Sequence, residues 1–273
     1  MSKVDPLPLP PLELRQLVGL LPDEHYDNPS GAPVFPEVPL QAYDFVFDWG
    51  CGCGRIARKL LQQQPRPRKY VGVDLHRGQV QWCRRNLSPH ASDFEFIHHD
   101  IYNAGLNPGG KAKVLPFPVA DGAVTLFLAW SVFTHVNEAA AAFYLNELGR
   151  ILHPAGMALT TWFLFDKVDY PMMQEFQNAL FINDIDPTNA VIFDKSWFRE
   201  AVHRAGLTLS EIVPPAVRGY HWKIYLKKSA PGVTSVEFPP DLAERGLNRP
   251  PMMPTNADHL GLDDEGEVTA KEG

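Results

Sequence analysis

Cysteine is scarce in this chain: three residues in 273, an odd number and too few for a disulfide framework to carry the fold. Two of them, Cys51 and Cys53, form a C-x-C pair inside a glycine-rich stretch, with Cys83 the only other thiol. That set falls short of the four ligands a structural zinc site wants. No apolar run reaches the roughly 18 residues of a membrane span, and the proline-rich, acid-containing start lacks the pattern of a signal peptide. The expected setting is therefore the cytoplasm, with no membrane partner. Neither sign of charge dominates: 25 Lys and Arg face 32 Asp and Glu, for a net charge of −7. A broad polyanion-binding surface is excluded on that balance, and with it nucleic acid as a main partner. A 45% hydrophobic content is enough to bury one sizeable core, so one domain with elaborations is expected.

The most informative stretch present is Phe45-Val-Phe-Asp-Trp-Gly-Cys-Gly-Cys-Gly-Arg55. It reads as a short apolar strand, an acid, and three glycines at alternate positions. A turn with almost no side chains lets backbone N–H groups approach a ligand closely. It also stands where open α/β sheets bind ligands, past the carboxyl end of a strand. The spacing narrows the ligand. A dinucleotide fingerprint needs G-x-G-x-x-G/A, but Arg55 follows Gly52 by three. A phosphate-cradling loop needs G-x-x-x-x-G-K-[ST], and no Lys-Ser or Lys-Thr pair follows these glycines. What remains is Asp48-x-Gly50-x-Gly52-x-Gly54, with no provision for a pyrophosphate. Alone, such a turn is equally at home as an ordinary strand–helix connection.

The rest of the chain supplies context. Residues 1–43, rich in proline, read as a lead-in or lid over the domain. Strands are expected at 45–49, 70–74, 94–98, 123–129 and 157–165, alternating with helices at 55–64, 79–87 and one that Asn137 caps and 153–156 stops. The 123–129 run is continuously apolar, as in a strand buried on both faces. After a Met- and Phe-rich interruption at 166–194 come a helix at 195–205 and strands at 207–213 and 220–227. This order predicts an α/β fold with a doubly wound, mainly parallel, seven-stranded sheet and a cap segment, 166–194, between strands five and six. The domain is expected to span 44–228. Residues 229–273, proline-rich and then acidic, read as an extended or disordered tail.

Asp74 closes the second strand, 20 residues after Gly54, where a carboxylate can accept both hydroxyls of a ribose; a helix cap is the plainer alternative. Asp100 follows the third strand and can accept from an adenine amine while the Ile101 N–H serves a ring nitrogen. Leu128-Ala-Trp-Ser-Val-Phe-Thr-His135 begins at the end of the fourth strand, where cofactor and substrate should meet. In this order, glycine turn, strand-two acid, strand-three acid, strand-four loop and Glu147-x-x-Arg150-Ile-Leu-x-Pro-x-Gly156, the chain resembles the class I S-adenosylmethionine-dependent methyltransferases over residues 44–228. Ser131-Val-Phe-Thr-His135 and the Trp-Cys after strand two resemble a bacterial, actinobacterial subgroup of O-methyltransferases acting on sugars, polysaccharides and specialised metabolites. Ala155, where the family commonly has Gly, and Trp49 after the motif acid are departures.

The resemblance implies a Rossmann-like methyltransferase fold and S-adenosyl-L-methionine as cofactor, held by Asp48, Gly50, Cys51, Gly52, Gly54, Asp74, Leu75, Asp100, Ile101, Trp130 and Ser131. An alcohol acceptor is a poor nucleophile and gains from a general base; imidazole titrates near neutrality, which makes His135 the candidate catalytic residue. Packing in the loop against a backbone carbonyl is its competing role. His98 and His99 are weaker candidates, since adjacent strand positions face opposite ways. Tyr26, Asp166, Tyr170, Met173, Arg218, Tyr220 and His221 are the candidate acceptor-binding residues. Asp166 or Asp169 could contribute to a Mg²⁺ site, but no ligand motif supports a metal. The 166–194 segment suits an adaptable apolar acceptor wall or, equally, a homo-oligomer interface. The function expected is O-methylation of a hydroxyl on a sugar, oligosaccharide or small metabolite; the alternative is a non-catalytic ligand-binding or interaction protein on the same fold.

Overall fold

The computed structural model describes residues 7–19, 21–183, 186–216 and 220–239. Arg218 and the tail beyond 239 lie outside the described residues. Helix α1 (Leu12–Gln16) belongs to the lead-in and is followed by β1 (Phe45–Trp49), α2 (Arg55–Gln62), β2 (Lys69–Asp74), α3 (Arg77–Asn86), β3 (Phe94–His98) and β4 (Val124–Ala129). The chain continues through α4 (Glu138–Ile151), β5 (Leu152–Phe165), β6 (Ala179–Phe181), β7 (Val191–Asp194), α5 (Lys195–Arg204), β8 (Leu207–Val213) and β9 (Trp222–Lys228). Asn137 caps α4 as expected, its Oδ1 accepting the Ala140 N–H at 2.9 Å.

Strands β3-β2-β1-β4-β5 run parallel in that order, β9 joins β5 antiparallel, and β8 closes the edge against β9. This is the expected mainly parallel sheet, with helices packed on its faces. Two strands are added to the seven expected. β7 pairs with only the last three residues of β5, from Phe163↔Ile192 to Phe165↔Asp194, and β6 pairs antiparallel with β7. Both lie inside the 166–194 segment, so part of that segment continues the sheet. β5 also starts earlier than the Pro154-Ala155-Gly156 signal suggests: Leu152 already pairs with Val124, and the register then shifts before Leu126↔Met157.

The core has two layers, one on each face of the sheet. On one face Phe47, Phe127, Phe133, Trp162 and Phe198 pack with α4 and α5. On the other, Val46, Tyr70, Leu126, Leu159 and Tyr225 pack with α2, α3 and part of the lead-in. Alternation along each strand produces this division. The lead-in is fastened by Arg58, a buried residue of α2: its guanidinium donates to the carbonyls of Leu7 (2.8 Å), Pro8 (3.1 Å) and Tyr26 (2.8 Å) and pairs with Asp27. Residues 229–239 turn at 231–232 and then run along β8 and α5. There Val236 N–H donates to the Leu209 carbonyl, Arg199 pairs with Glu237, and Phe238 packs against the core. Among the described residues no helix is long and apolar enough to cross a membrane.

Strand order reverses between β1 and β4. The chain steps outward from β1 through β2 to β3, then returns to the other side of β1 to lay down β4 and β5. Connections leaving the carboxyl ends of β1 and β4 therefore diverge and open a crevice there. Those two connections are the glycine turn and residues 130–135.

Candidate functional site

The glycine turn is built by conformation. Gly50, Gly52 and Gly54 all have positive φ, at 78°, 55° and 79°, a region that only glycine enters without steric cost. Space forbids side chains as well: a Cβ on Gly50 would lie 2.4 Å from Val132 Cγ2, on Gly52 2.6 Å from Val18 Cγ1, and on Gly54 2.5 Å from Leu87 Cδ1. Val132 belongs to the loop after β4 and Val18 to the lead-in, so both lie directly on the turn.

Its amides are used differently from what the sequence suggests. Gly50 and Cys51 N–H groups both donate to the Val73 carbonyl (2.8 and 3.1 Å), Gly54 N–H to the Cys51 carbonyl (3.0 Å), and Gly52 N–H to Asp74 Oδ2 (2.8 Å). The turn contributes bare backbone surface, not a ring of free donors. A pyrophosphate would need such donors; a sulfonium, which is a cation, does not. Cys51 is buried with its thiol pushed up by burial, its Sγ 3.8 Å from the Gly52 carbonyl, so only its backbone borders the turn.

Two buried carboxylates lie beside it. Asp74 accepts Gly52 N–H on one oxygen and His76 N–H (2.7 Å) on the other. Burial raises its pKa, against the lowering by those two amide bonds. Each oxygen keeps a second lone pair for a ligand hydroxyl, so the residue fits a ribose. Asp48 is 1% exposed and accepts the Tyr70 hydroxyl at 2.7 Å; burial pushes its pKa up to about 7. It underpins the turn from within the sheet.

The third acid, Asp100, is partly exposed and accepts from Asn107 Nδ2 at 3.2 Å. Asn107 also donates to the Ile101 carbonyl at 2.9 Å. The Ile101 N–H is not free for an adenine ring: it donates to the His99 carbonyl at 2.7 Å. The chain folds back sharply after β3, and that turn claims the donor. Leu75 lies between Asp74 and His76, its carbonyl facing His98 Nε2 at 2.9 Å. His99 is buried against Phe117 and Tyr144, with Nε2 facing the Leu115 carbonyl (3.2 Å), and burial depresses its basicity.

Across the crevice, Trp130 is 36% exposed and stacks on Phe35 with centroids 6.1 Å apart. Ser131 N–H donates to Thr161 Oγ1 at 2.7 Å. Phe133 turns inward, 4.0 Å from Trp162 by ring centroid. His135 is exposed, with Nδ1 3.2 Å from the Thr188 carbonyl. The electrostatic neighbour of His135 is His221, which stacks on Phe163 (4.6 Å, 18°) and whose buried Nε2 has no hydrogen-bond partner among the described residues. Burial first, and charge on His135 second, hold the His221 imidazole below the ordinary histidine range. Position 221 comes one step before Trp222, the partner of Trp162 in the β5–β9 register, which puts His221 at the carboxyl edge of the sheet.

Other acceptor candidates are placed elsewhere. Tyr26 is fully buried, its hydroxyl 3.9 Å from Cys53 Sγ; it backs the glycine turn and cannot line an acceptor wall. Asp166 is ion-paired with Lys195 at 2.5 Å, which engages it on α5 rather than with a metal or diol. Tyr170, 46% exposed, meets Phe165 edge-on, and Met173 N–H donates to the Tyr170 carbonyl. Tyr220 is exposed. Among the described residues no group of three or more His, Cys, Asp or Glu could hold a metal ion. The sequence reading missed Thr161, Phe163 and Thr188. Of these only Thr161 carried a signal, as one of two adjacent threonines in the otherwise apolar stretch 157–165.

Residues 46–156 match the family described as "Methyltransferase domain". Similar solved structures include a putative methyltransferase from Haloferax volcanii in complex with the Trm112 methyltransferase activator, with 18% identity, 71% of this chain and 86% of that chain covered, and a TM-score of 0.48. An O-methyltransferase family protein from Burkholderia thailandensis has 15% identity over 70% of this chain and 54% of that chain, with a TM-score of 0.48. NcsB1, an O-methyltransferase from neocarzinostatin biosynthesis solved with S-adenosyl-L-homocysteine and 1,4-dihydroxy-2-naphthoic acid, has 12% identity over 70% of this chain and 51% of that chain, with a TM-score of 0.47. This chain spans about half the length of the last two. The matched span runs from β1 into β5 and takes in the glycine turn, Asp74, Asp100 and the loop after β4, so this part of the chain carries a methyltransferase domain.

Proposed function

We propose that this methyltransferase transfers its methyl group to a hydroxyl of a sugar, oligosaccharide or other small metabolite, with His135 removing the hydroxyl proton. The observation that carries this reading is the exposure of His135 at the end of the loop after β4; its Nδ1 contact with the Thr188 carbonyl at 3.2 Å, by itself the packing contact of a structural histidine, fixes the ring there. A carbonyl only accepts, so Nδ1 holds the hydrogen and the lone pair falls to Nε2. An imidazole oriented by a backbone carbonyl, at the end of the loop that borders the crevice, is a positioned general base.

In this proposal Asp74 holds the ribose hydroxyls, Asp100 takes the adenine amine, and the turn Gly50–Gly54 with Trp130 and Ser131 borders the rest of the cofactor. Bound there, S-adenosylmethionine supplies an electrophilic methyl group on a sulfonium. The protein's own contribution is alignment and proton removal, and alignment of the reacting atoms can supply much of the acceleration. His221 takes part as an acceptor ligand. Its buried Nε2, without a partner among the described residues, carries a desolvation cost that a substrate hydroxyl would relieve. Phe163 beneath it and the Phe35–Trp130 stack offer apolar faces to a ring, while the exposed residues of 166–183 form the outer part of the acceptor site.

A methyl-release assay with labelled S-adenosylmethionine against hydroxylated sugars, phenols and amines tests the reading. Product with hydroxyl compounds and none with amines is expected. Transfer to nitrogen alone, or no transfer while the cofactor binds, overturns it.

A further inference from the structure

Ser131 is the one non-glycine residue among those described with a positive φ, at 58°. A side chain there crowds its own backbone, and such a conformation persists only where the surroundings impose it. The imposing group is one strand away. The parallel ladder between β4 and β5 ends at Ala129↔Thr160, and the next hydroxyl along, Thr161 Oγ1, accepts the Ser131 N–H at 2.7 Å. Thr161 is 1% exposed and is fixed on its far side by pairing with Lys223 of β9. A rigid strand therefore presents one acceptor to the first loop amide past the crevice edge.

The bend at Ser131 has consequences in three directions. It delivers Val132 onto Gly50, where no Cβ would fit (2.4 Å). It sends Phe133 between Trp49 and Trp162, at 5.0 and 4.0 Å. It ends at His135 against the Thr188 carbonyl. We infer that Thr161 is a positioning residue: its hydroxyl sets the left-handed turn at Ser131 and so locks the acceptor-side loop onto the glycine turn of the donor side. This rests on the reading of residues 130–135 as the loop where the two substrates meet.

The test is a double-mutant cycle read by calorimetry with S-adenosylhomocysteine. Thr161→Val keeps the shape and removes the acceptor; it should weaken binding about tenfold, the scale expected when a strained residue loses its support. Thr161→Ser restores the acceptor and should bind within about twofold of wild type. Glycine needs no support at positive φ, so in a Ser131→Gly background Thr161→Val should change affinity by less than about twofold. An equal loss in both backgrounds, or wild-type binding by Thr161→Val, overturns the inference. If Thr161→Val does not fold, amide hydrogen exchange at Ser131 in the wild-type protein decides: slow exchange without cofactor supports the clamp, and exchange at the unprotected rate overturns it. No acceptor enters either measurement, so failure of the hydroxyl-transfer reading would show separately, in the methyl-release assay.

Discussion

Asp74 Oδ2 accepts the backbone N–H of Gly52 at 2.8 Å, so the acid at the end of β2 and the middle of the glycine turn form one unit. Its other oxygen takes the His76 N–H at 2.7 Å and thereby ties the turn to the start of α3. Replacing Asp74 by Ala removes a proposed ribose ligand and leaves two amides without partners. Cofactor affinity should fall by more than about tenfold, with a stability loss of about 1–3 kcal/mol. Calorimetry with S-adenosylhomocysteine and thermal unfolding of the same sample separate the two effects. Wild-type affinity in Asp74→Ala would remove the ribose role.

Two of the alternate glycines, Gly52 and Gly54, predict different damage. Gly52→Val adds a branched side chain at φ 55°, where even a Cβ would be 2.6 Å from Val18. Because Val18 belongs to the lead-in, one response is displacement of that segment. Gly54→Ala meets Leu87 Cδ1 at 2.5 Å and Cys83 Sγ at 2.9 Å inside the core. Gly54→Ala should therefore cost about 1–3 kcal/mol of stability. Gly52→Val should chiefly weaken cofactor binding, by about tenfold or more. Unfolding midpoints and calorimetric affinities read the contrast.

Asp48 gives a pH-dependent prediction. Burial pushes its pKa up to about 7 in the fold, above the value near 4 of an unfolded aspartate. Between those values the folded chain holds a proton that the unfolded chain has lost, so this residue's contribution to stability declines as pH rises through that window. Asn resembles the protonated acid and still offers an oxygen to the Tyr70 hydroxyl. Asp48→Asn should therefore gain stability relative to wild type as pH goes from 4 to 8. A difference in unfolding midpoint that stays flat over this range would show that Asp48 is ionised in the fold.

Legibility differed by level, for physical reasons. Alternation and apolar runs read out β1 to β5, β8 and β9, because strands buried on both faces show it in composition. β6 and β7 escaped because three- and four-residue strands carry too little pattern, and their pairing with the end of β5 depends on tertiary placement. At the site, the glycine turn and Asp74 were visible as local spacing. The burial of Tyr26, the ion pair of Asp166 with Lys195 and the clamp of Thr161 on Ser131 all join residues at least 29 positions apart or hide an aromatic by packing. No local pattern records such contacts. The internal use of the turn's amides was also invisible, since it depends on β2 supplying the Val73 carbonyl.

Glu147 and Arg150 support the site from below. Arg150 donates to Glu147 (2.8 and 2.7 Å), to Asp121 (2.7 Å) and to the carbonyls of Phe117 and Val119 (both 3.0 Å), while Glu147 accepts the Phe117 N–H at 2.7 Å. Phe117 packs on Trp49, 5.4 Å by centroid, next to the glycine turn. Arg150→Met keeps the stem and removes the donors; it should cost about 2–3 kcal/mol, the scale of charge-assisted bonds. Unfolding in urea measures this, and a loss under about 0.5 kcal/mol would place the 117–121 loop under other control.

The two histidines at the carboxyl edge make opposite predictions for kinetics. His135 is exposed and oriented by the Thr188 carbonyl, whereas burial holds the His221 imidazole below the ordinary histidine range and its Nε2 has no partner among the described residues. If His135 removes the proton, His135→Ala should lower turnover about 100-fold and leave S-adenosylhomocysteine affinity intact. His221→Phe keeps the stack on Phe163 but removes the nitrogen; it should raise the acceptor KM about tenfold with a smaller effect on turnover. The reverse pattern, a turnover loss in His221→Phe with only a KM effect in His135→Ala, would make the buried imidazole the base and leave His135 as the ligand.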